Sequence, residues 1–159
     1  MRWRVRELAP EETHALRRAV SADGRTDLPT MHHELDDAPG AWHLGAVADD
    51  GRVVATSSFY PVVCPLRSDA QPAVQLQFMA VDPALQRQGV GRAVMAEAIR
   101  RLQATDAVLL WANARNTAVP FYERFGFQTG ERSAYVPVST GRPHHLILLD
   151  LDALQHEGT

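Results

Sequence analysis

One stretch, residues 75–102, constrains the fold of this chain more than any other. Residues 75–81 are mostly apolar, as in a buried strand, and Asp82 and Pro83 form a turn. A loop with two glycines, Gly89 and Gly91, then leads into apolar residues at helical spacing. Glycine lets a backbone come close to a ligand, and the unpaired N–H groups at a helix start attract anions. The stretch therefore predicts a strand, loop and helix that hold an anionic group such as phosphate.

The length and charge of the chain narrow the class of protein. Its 159 residues predict one domain over residues 1–152 and a C-terminal tail over residues 153–159. A net charge of −3 argues against a general nucleic-acid binder, which usually carries a basic excess. No apolar run approaches the roughly 18 residues of a membrane span, and residues 1–6 lack the apolar centre of a signal peptide. We therefore expect a cytoplasmic protein that engages neither membrane nor nucleic acid.

Lysine and cysteine usage excludes several kinds of site. All 16 cationic residues are arginine, which excludes a Schiff-base lysine and the lysine of a P-loop. Cys64 is the single cysteine, so neither a disulfide framework nor a cysteine zinc site is available. Because no partner base is evident near it in the sequence, Cys64 is interpreted as a packed structural residue and not as a nucleophile. No metal is expected.

Strand and helix patterns alternate along the rest of the chain. Residues 2–8 alternate polar and apolar, as a strand does, and Pro10 then starts a helix. Two strands flank the turn Asp49-Asp50-Gly51, which is a strong hairpin signal. The predicted apolar face of the first helix comprises Ala15, Leu16, Ala19 and Val20. Three further helices are predicted, a short one around 30–35 and two at 90–102 and 116–124. The other predicted strands are at 42–48, 52–60, 74–81, 107–111, 128–136 and 145–151. This order predicts a mixed sheet with helices on its faces.

Three kinds of phosphate-binding loop compete for residues 86–92. A dinucleotide fingerprint requires G-x-G-x-x-G directly after the strand, but Val94 occupies the third glycine position here and several residues separate the strand from Gly89. A P-loop requires the lysine that this chain lacks. The pattern that remains is Gln86-x-x-Gly89-x-Gly91, after a strand and before a helix.

This pattern, together with motifs elsewhere in the chain, resembles the GNAT superfamily of acyl-CoA-dependent N-acyltransferases. The motifs are Phe121-Tyr122-Glu123-Arg124-Phe125-Gly126-Phe127, Trp111-Ala112-Asn113-Ala114-Arg115, Pro39-Gly40-Ala41-Trp42-His43-Leu44-Gly45-Ala46 and Pro143-His144, of which the last two are similar to a bacterial branch. The resemblance covers nearly the whole chain. It implies an α/β (α+β) fold with a central, mixed, mostly antiparallel sheet of about seven strands and about four flanking helices. It also implies acetyl-CoA as co-substrate, an amine as acceptor, and a homodimer as a common arrangement.

The resemblance implies roles for residues around the glycine loop. The amides of residues 88–92 would take the CoA pyrophosphate, and the strand end at residues 78–81 would pair with the pantetheine arm. A bulge in that strand would point an amide near Met79 at the thioester carbonyl, where such a donor contributes on the order of 3 kcal/mol. Arg115 stands where the family often has asparagine, so which of Asn113, Arg115 and Asn116 contacts CoA stays open. The implied cofactor-binding residues are Met79, Ala80, Val81, Gln86, Arg87, Gln88, Gly89, Val90, Gly91, Arg92, Asn113, Arg115 and Tyr122.

The resemblance implies the acid of the reaction and leaves the base open. Tyr122 matches the tyrosine that protonates the departing thiolate, with aromatic packing as the alternative interpretation. Many relatives use a glutamate on the central strand as base, where this chain offers Gln75 and Gln77, which cannot act as bases. Histidine titrates near neutrality, so His144 is the first candidate, followed by His32, His33 and His43. A water chain is the alternative if no histidine serves.

The acceptor site and the class of function also leave alternatives. Glu34, Asp36 and Asp37 lie in the irregular segment 22–41 and could receive a cationic amine, although acids on loops are commonly just hydrated. We expect an N-acetyltransferase that moves acetyl from acetyl-CoA to a primary amine by direct transfer in a ternary complex. The expected catalytic residues are Tyr122, His144 and Met79, and the expected substrate-binding residues are His32, His33, Glu34 and Asp37. The alternative is a catalytically weak CoA-binding sensor or interaction module, and a Rossmann-type nucleotide-binding protein comes third.

Overall fold

The computed structural model describes residues 2–21, 31–129, 134–135 and 144–152. The chain divides into two compact units, Met1–Tyr60 with Gln77–Arg101 and Pro61–Leu76 with Leu102–Thr159. In the described ranges no helix is both long and apolar enough to span a membrane. The predicted tail at 153–159, Thr30, Pro143 and part of the strand predicted at 128–136 lie outside these ranges. The single domain over residues 1–152 stays a prediction.

The first unit contains the predicted hairpin. Its hydrogen-bonded strands follow the order β1 (Trp3–Leu8), β2 (Trp42–Ala48), β3 (Val53–Tyr60) and the second half of β4 (Ala73–Val81). β1 pairs antiparallel with β2, and β2 with β3. The turn between β2 and β3 places Gly51 at a φ of 90°, a conformation that glycine adopts without a Cβ penalty. The prediction of two strands around this turn is confirmed.

The first helical segment differs from its prediction. It consists of a 3₁₀ turn at Pro10–Thr13, α1 at His14–Leu16 and a π-helical turn at Arg17–Ser21. Leu16 and Arg17 are buried, whereas Ala15 and Ala19 of the expected apolar face are exposed. Each change of turn type rotates the following residues around the axis, so a regular helical period places them on the wrong face.

The short helix expected around 30–35 is also wrong for the described residues. Residues 34–37 form turns, closed by a hydrogen bond from the Asp36 N–H to the His33 carbonyl oxygen. The Asp36 side chain accepts the His33 N–H in return, at 2.9 Å. A side chain that competes for backbone donors in this way favours a turn over a helix.

The helix after the glycine loop is α2 (Val90–Gln103). Its predicted apolar face is confirmed, because none of these residues exceeds 8% exposure: Val90, Val94, Met95, Ala98, Ile99 and Leu102. Burial of that face, at roughly 25 cal/mol per Å² of apolar surface, anchors the helix and hence the loop before it.

The second unit combines the first half of β4 with β5 (Leu109–Arg115), β7 (His144–Asp150) and β6 (Ala134–Tyr135), in that order. β4 and β5 are parallel, and the pairs of β7 with β5 and with β6 are antiparallel. A 3₁₀ turn at Asn116–Ala118 leads into α3 (Val119–Glu123), and Gly126 follows at a φ of 99°.

Cys64 belongs to the core of this second unit. It is fully buried and free, and it packs with Ala70, Ala73, Leu109 and Trp111. Its interpretation as a packed structural residue therefore agrees with the structure.

The expected fold class is confirmed. Seven strands in a mixed, mostly antiparallel arrangement are hydrogen-bonded as described above, and three α-helices are described where about four were expected.

Candidate active site

The glycine loop is exposed and lies directly before α2. Residues 86–89 are exposed and form turns, with Arg87 at a φ of 68° and Gly89 at 85°. The Ala93 N–H donates to the Gly89 carbonyl oxygen at 3.0 Å, which is the first hydrogen bond of the helix. The N–H groups of the first helical turn therefore have no intrahelical acceptor, and together with the helix dipole they attract an anion.

The chain just before the loop is fixed by Asp82. Its carboxylate accepts the Ala84 N–H at 2.9 Å and caps the 3₁₀ turn Pro83–Leu85. The Asp82 N–H donates to the Val54 carbonyl oxygen on β3 at 2.8 Å. Both ends of the loop are thus anchored, since Leu85 is buried and α2 packs its apolar face.

β4 runs without a break from Ala73 to Val81 but has an irregular residue next to Met79. Phe78 has a φ of 56°, and its carbonyl oxygen accepts the Thr56 hydroxyl at 3.1 Å. For a residue with a Cβ this left-handed conformation costs about 1–2 kcal/mol, so the surroundings must hold it in place. Met79 itself is half-buried. The irregularity lies where the resemblance implies a bulge that aims the Met79 amide.

A buried ion pair lies against this irregular residue. Arg17 donates from Nη1 to Asp36 Oδ2 at 2.8 Å and from Nη2 to Asp36 Oδ1 at 3.0 Å, and both side chains are 0% exposed. The Arg17 guanidinium carbon lies 4.2 Å from the centre of the Phe78 ring. Bidentate pairing and stacking on an aromatic face both depend on the planar guanidinium.

Three further side chains complete what we call the Arg17 cluster: Arg17, Asp36, His43, Ser58 and Tyr60. The Tyr60 hydroxyl donates to Asp36 Oδ1 at 2.6 Å, Ser58 Oγ accepts from Arg17 Nη2 at 2.7 Å, and His43 Nδ1 lies 2.8 Å from Ser58 Oγ. His43 and Ser58 are opposite each other in the β2–β3 ladder.

The cluster fixes the charge of its members. Burial opposes ionisation of Asp36, but the hydrogen bonds from Arg17, Tyr60 and the His33 N–H outweigh it and lower the pKa of this carboxyl far below its usual range. Burial and the Asp36 carboxylate raise the pKa of Tyr60. Burial lowers the pKa of His43, with the Asp36 charge acting in the opposite direction. Asp36 is therefore ionised and His43 neutral at pH 7.

The expected acceptor residues divide into two groups. His33 stacks on Tyr60 with ring centres 5.0 Å apart and meets the Phe78 ring edge-on at 5.7 Å, so it lies beside the irregular point of β4. His32 Nε2 lies 3.2 Å from Asp37 Oδ2 in an exposed position, and Glu34 is exposed as well. The hypothesis that Asp36 could receive an amine is wrong, because its carboxylate is buried and paired with Arg17.

One group of side chains has the composition of a metal site. Ligand atoms of His14, His32 and Asp36 lie within 4.8 Å of one another. Both carboxylate oxygens of Asp36, however, already accept hydrogen bonds from Arg17. A cation there would face the guanidinium at close range, which disfavours it.

The second unit holds the other expected residues. Tyr122 is buried, and its ring meets Phe121 at 5.1 Å and Phe127 at 5.4 Å, both edge-on; burial raises its pKa. His144 is buried and starts β7, directly opposite Arg115 on β5. Asn113 is exposed near the end of β5. The structure thus brings His144 and Arg115 side by side, and Tyr122 lies within an aromatic group.

The Arg17 cluster is the feature beside the candidate site that the sequence patterns did not predict. The sequence of β3 does indicate a buried polar contact. Thr56, Ser58 and Tyr60 occupy alternate positions and so place polar groups on one face of a buried strand. Such a polar face requires a buried partner. Nothing in the sequence identifies that partner as Arg17, which is 41 residues from Ser58 along the chain.

Comparison with known proteins shows a sequence match over most of the chain. A family model described as the acetyltransferase (GNAT) family matches residues 3–127. The ribosomal protein bS18-alanine N-acetyltransferase of Escherichia coli K12 is 36% identical over 74 residues, which are 44% of this chain and 50% of that protein. The match thus spans about half the length of this curated relative.

Two solved structures share the fold. The ribosomal-protein-S18-alanine N-acetyltransferase from Escherichia coli has a TM-score of 0.65 at 20% identity and covers 94% of this chain and 94% of its own. The GNAT family N-acetyltransferase YhbS from Escherichia coli, in complex with CoA, has a TM-score of 0.63 at 20% identity, covering 95% of this chain and 82% of its own.

Proposed function

Because the chain belongs to the GNAT acetyltransferase family, we propose that it is an acetyl-CoA-dependent N-acetyltransferase that acetylates a primary amine by direct transfer in a ternary complex. The observation that carries this proposal is the exposed loop at residues 86–89, with positive φ angles at Arg87 and Gly89, immediately before a 14-residue helix. This arrangement suits a pyrophosphate, because backbone N–H groups and the positive end of the helix dipole can bind an anion even though the chain has no lysine to do so. We place the protein in the cytoplasm.

The coenzyme would run from this loop back along β4. The amides of Gln88, Gly89 and the first turn of α2 bind the pyrophosphate, with Gln86, Arg87, Val90, Gly91 and Arg92 lining the loop. The backbone of Met79, Ala80 and Val81 accompanies the pantetheine arm. The left-handed Phe78 supports this path, since its positive φ departs from regular strand geometry directly before the Met79 amide. That amide then polarises the thioester carbonyl as charge develops on its oxygen.

Tyr122 would protonate the CoA thiolate as the carbon–sulfur bond breaks. Burial keeps its phenol protonated throughout the neutral pH range, because the charged phenolate is disfavoured among the surrounding aromatic rings. The same lack of solvation makes the departing thiolate more basic, so it takes the phenolic proton as the carbon–sulfur bond breaks, and the phenolate left behind regains a proton from solvent when CoA leaves. Asn113 and Arg115, near the end of β5, are the further coenzyme contacts that we propose.

The amine must lose a proton before or during its attack on the thioester. His144 is the proposed base, and its burial at the start of β7 would exclude bulk water from the proton transfer. His32, His33, Glu34 and Asp37 are the proposed acceptor contacts. Among these, His33 has the strongest support, because its ring lies against Phe78, next to Met79.

A thiol-release assay with acetyl-CoA over a panel of amines tests the function. The first member is a peptide with an N-terminal alanine, because the curated relative is named for acetylating an alanine of a ribosomal protein. The panel also includes free amino acids, polyamines and aminoglycosides. We expect turnover on at least one class. Binding of CoA without turnover on any of them would favour a CoA-binding sensor module instead.

A further inference from the structure

Phe78 adopts a backbone conformation that its own side chain does not stabilise. Asparagine and aspartate tolerate a positive φ because their side chains bond to the local backbone, and glycine tolerates it because it lacks a Cβ. Phenylalanine has neither property. The φ of 56° at this position must therefore be imposed by contacts with other parts of the first unit.

Two of those contacts act on the Phe78 ring and one on its backbone. The Arg17 guanidinium carbon lies over the face of the Phe78 ring, 4.2 Å from the ring centre. The plane of the His33 ring makes an angle of 69° with the plane of the Phe78 ring. The Thr56 hydroxyl holds the Phe78 carbonyl oxygen at 3.1 Å. With the ring and the carbonyl both held, the peptide between Phe78 and Met79 has little freedom to rotate.

Arg17 is itself held at both terminal nitrogens of its guanidinium, while the buried Nε has no hydrogen-bond partner among the described residues. Besides the two bonds to Asp36, Nη1 donates to the Met31 carbonyl oxygen at 2.9 Å and Nη2 to Ser58 Oγ at 2.7 Å. Asp36 in turn accepts the Tyr60 hydroxyl and the His33 N–H. A planar group with this many fixed partners presents one face to Phe78 in one orientation.

We propose that Arg17 is a positioning residue for acyl transfer: its stacked guanidinium holds Phe78 in the left-handed conformation and so aims the Met79 amide at the acyl group. This inference rests on the proposed function, in which that amide polarises the thioester carbonyl. Arg17 is fully buried and acts through Phe78, so it contacts neither substrate. Coenzyme affinity depends mainly on the loop at residues 86–89, so loss of Arg17 alters the acyl contact while CoA still binds.

Nitrogen-15 labelling of methionine reports on this contact directly. The chain has four methionines, of which Met79 carries the amide in question and Met95 lies buried in α2. The Met79 resonance is identified with Met79→Leu. In the wild-type protein we expect the Met79 amide to shift differently with acetyl-CoA than with CoA, while Met95 shows no acetyl-dependent difference. Met95 also reports on whether each variant keeps its fold.

The variants are chosen to separate stacking from charge. Arg17→Lys keeps the charge beside Asp36 but lacks the planar group, and Phe78→Leu removes the ring. Both variants should bind CoA and acetyl-CoA and should lose the acetyl-dependent shift of Met79. Adding Arg17→Lys to Phe78→Leu should change nothing further, because both act through the same contact. Arg6→Lys, at a partly exposed arginine, is the matched control and should retain the shift.

The outcomes distinguish this inference from the proposed function. A Met79 shift that persists in Arg17→Lys while Met95 is unperturbed would overturn the positioning role alone. No response of any wild-type resonance to either coenzyme would overturn the proposed function, and the inference with it. Should Arg17→Lys not fold, Arg17→Met combined with Asp36→Asn removes both charges and is read in the same way.

Discussion

The exposed loop at residues 86–89 and the Arg17 cluster achieve a fixed geometry by different means. The loop takes its shape from backbone conformation, with Arg87 and Gly89 at positive φ, and its side chains face solvent. The cluster takes its shape from side-chain hydrogen bonds between residues far apart in the sequence, all excluded from solvent. The loop is therefore suited to bind a ligand, while the cluster is suited to hold protein structure in place. Mutations in the first should alter binding, and mutations in the second should alter stability.

The largest expected effect is on stability, from Arg17→Met. This variant leaves Asp36 ionised and buried without its partner, which typically lowers the free energy of unfolding by about 3–5 kcal/mol. The matched control is Arg6→Met, because the Arg6–Glu12 pair has nearly the same length, 2.7 Å, but is partly exposed. In that control the free energy of unfolding should fall by at most about 1 kcal/mol. Urea denaturation measures the free energy of unfolding of both variants. Equal decreases in the two would contradict the claim that the buried pair contributes more to stability than the partly exposed one.

Tyr122→Phe should have the next largest effect, on turnover. Like Tyr60, Tyr122 is a buried phenol whose pKa is raised by burial, but Tyr60 donates to Asp36 whereas Tyr122 lies among phenylalanine rings. Loss of a general acid lowers kcat about 100-fold. The packing should survive, since the change removes a single oxygen. Steady-state thiol release checks the rate, and a decrease of less than about threefold would leave Tyr122 with a packing role only.

Gly89→Ala should weaken coenzyme binding. A Cβ at Gly89 meets no atom within 4 Å, so the cost is the strain of a φ of 85°, about 1–2 kcal/mol. If the loop relaxes to escape that strain, the dissociation constant for CoA rises about tenfold. Gly51→Ala is a close control, with a φ of 90° and equally open space in the hairpin turn. Calorimetry should find normal CoA affinity in Gly51→Ala, and equal affinities in both variants would argue against the loop as the binding site.

The smallest expected effect is a pH dependence that arises in the cluster. His43 is neutral in the folded protein because burial lowers its pKa, with Asp36, Ser58 and Tyr60 around it. The unfolded chain binds this proton near pH 6.5, so the free energy of unfolding falls as the pH drops from 7 to 5. Protonation of Asp36 lowers the free energy of unfolding further only below about pH 4, because its pKa is lowered in the folded protein.

Denaturation of His43→Asn at the same pH values checks this assignment. The asparagine amide occupies the place of His43 Nδ1 beside Ser58 but does not titrate. We expect a smaller loss of stability between pH 7 and 5 than in the wild type. An unchanged slope would mean that other groups cause it.

The same comparison explains how far the sequence could predict this protein. The loop was predictable because its glycines, its strand and its helix are neighbours in the chain, and each carries a local physical preference. The hairpin at Gly51 and the buried face of α2 were predictable for the same reason. The cluster was not, because Arg17, Asp36 and Tyr60 are brought together by tertiary structure. The prediction also assigned the wrong side chains of residues 10–21 to the core, because it assumed one helical period where the type of turn changes twice.

Transfer of labelled acetyl from [²H₃]acetyl-CoA to an amine, followed by mass spectrometry, shows whether this protein is an N-acetyltransferase. We expect labelled acetyl on the acceptor nitrogen, one CoA thiol released per acetylated product, and a lower rate with Gly89→Ala than with Gly51→Ala at limiting acetyl-CoA. CoA that binds at the loop while the label never leaves the coenzyme, across the whole amine panel, would contradict this expectation.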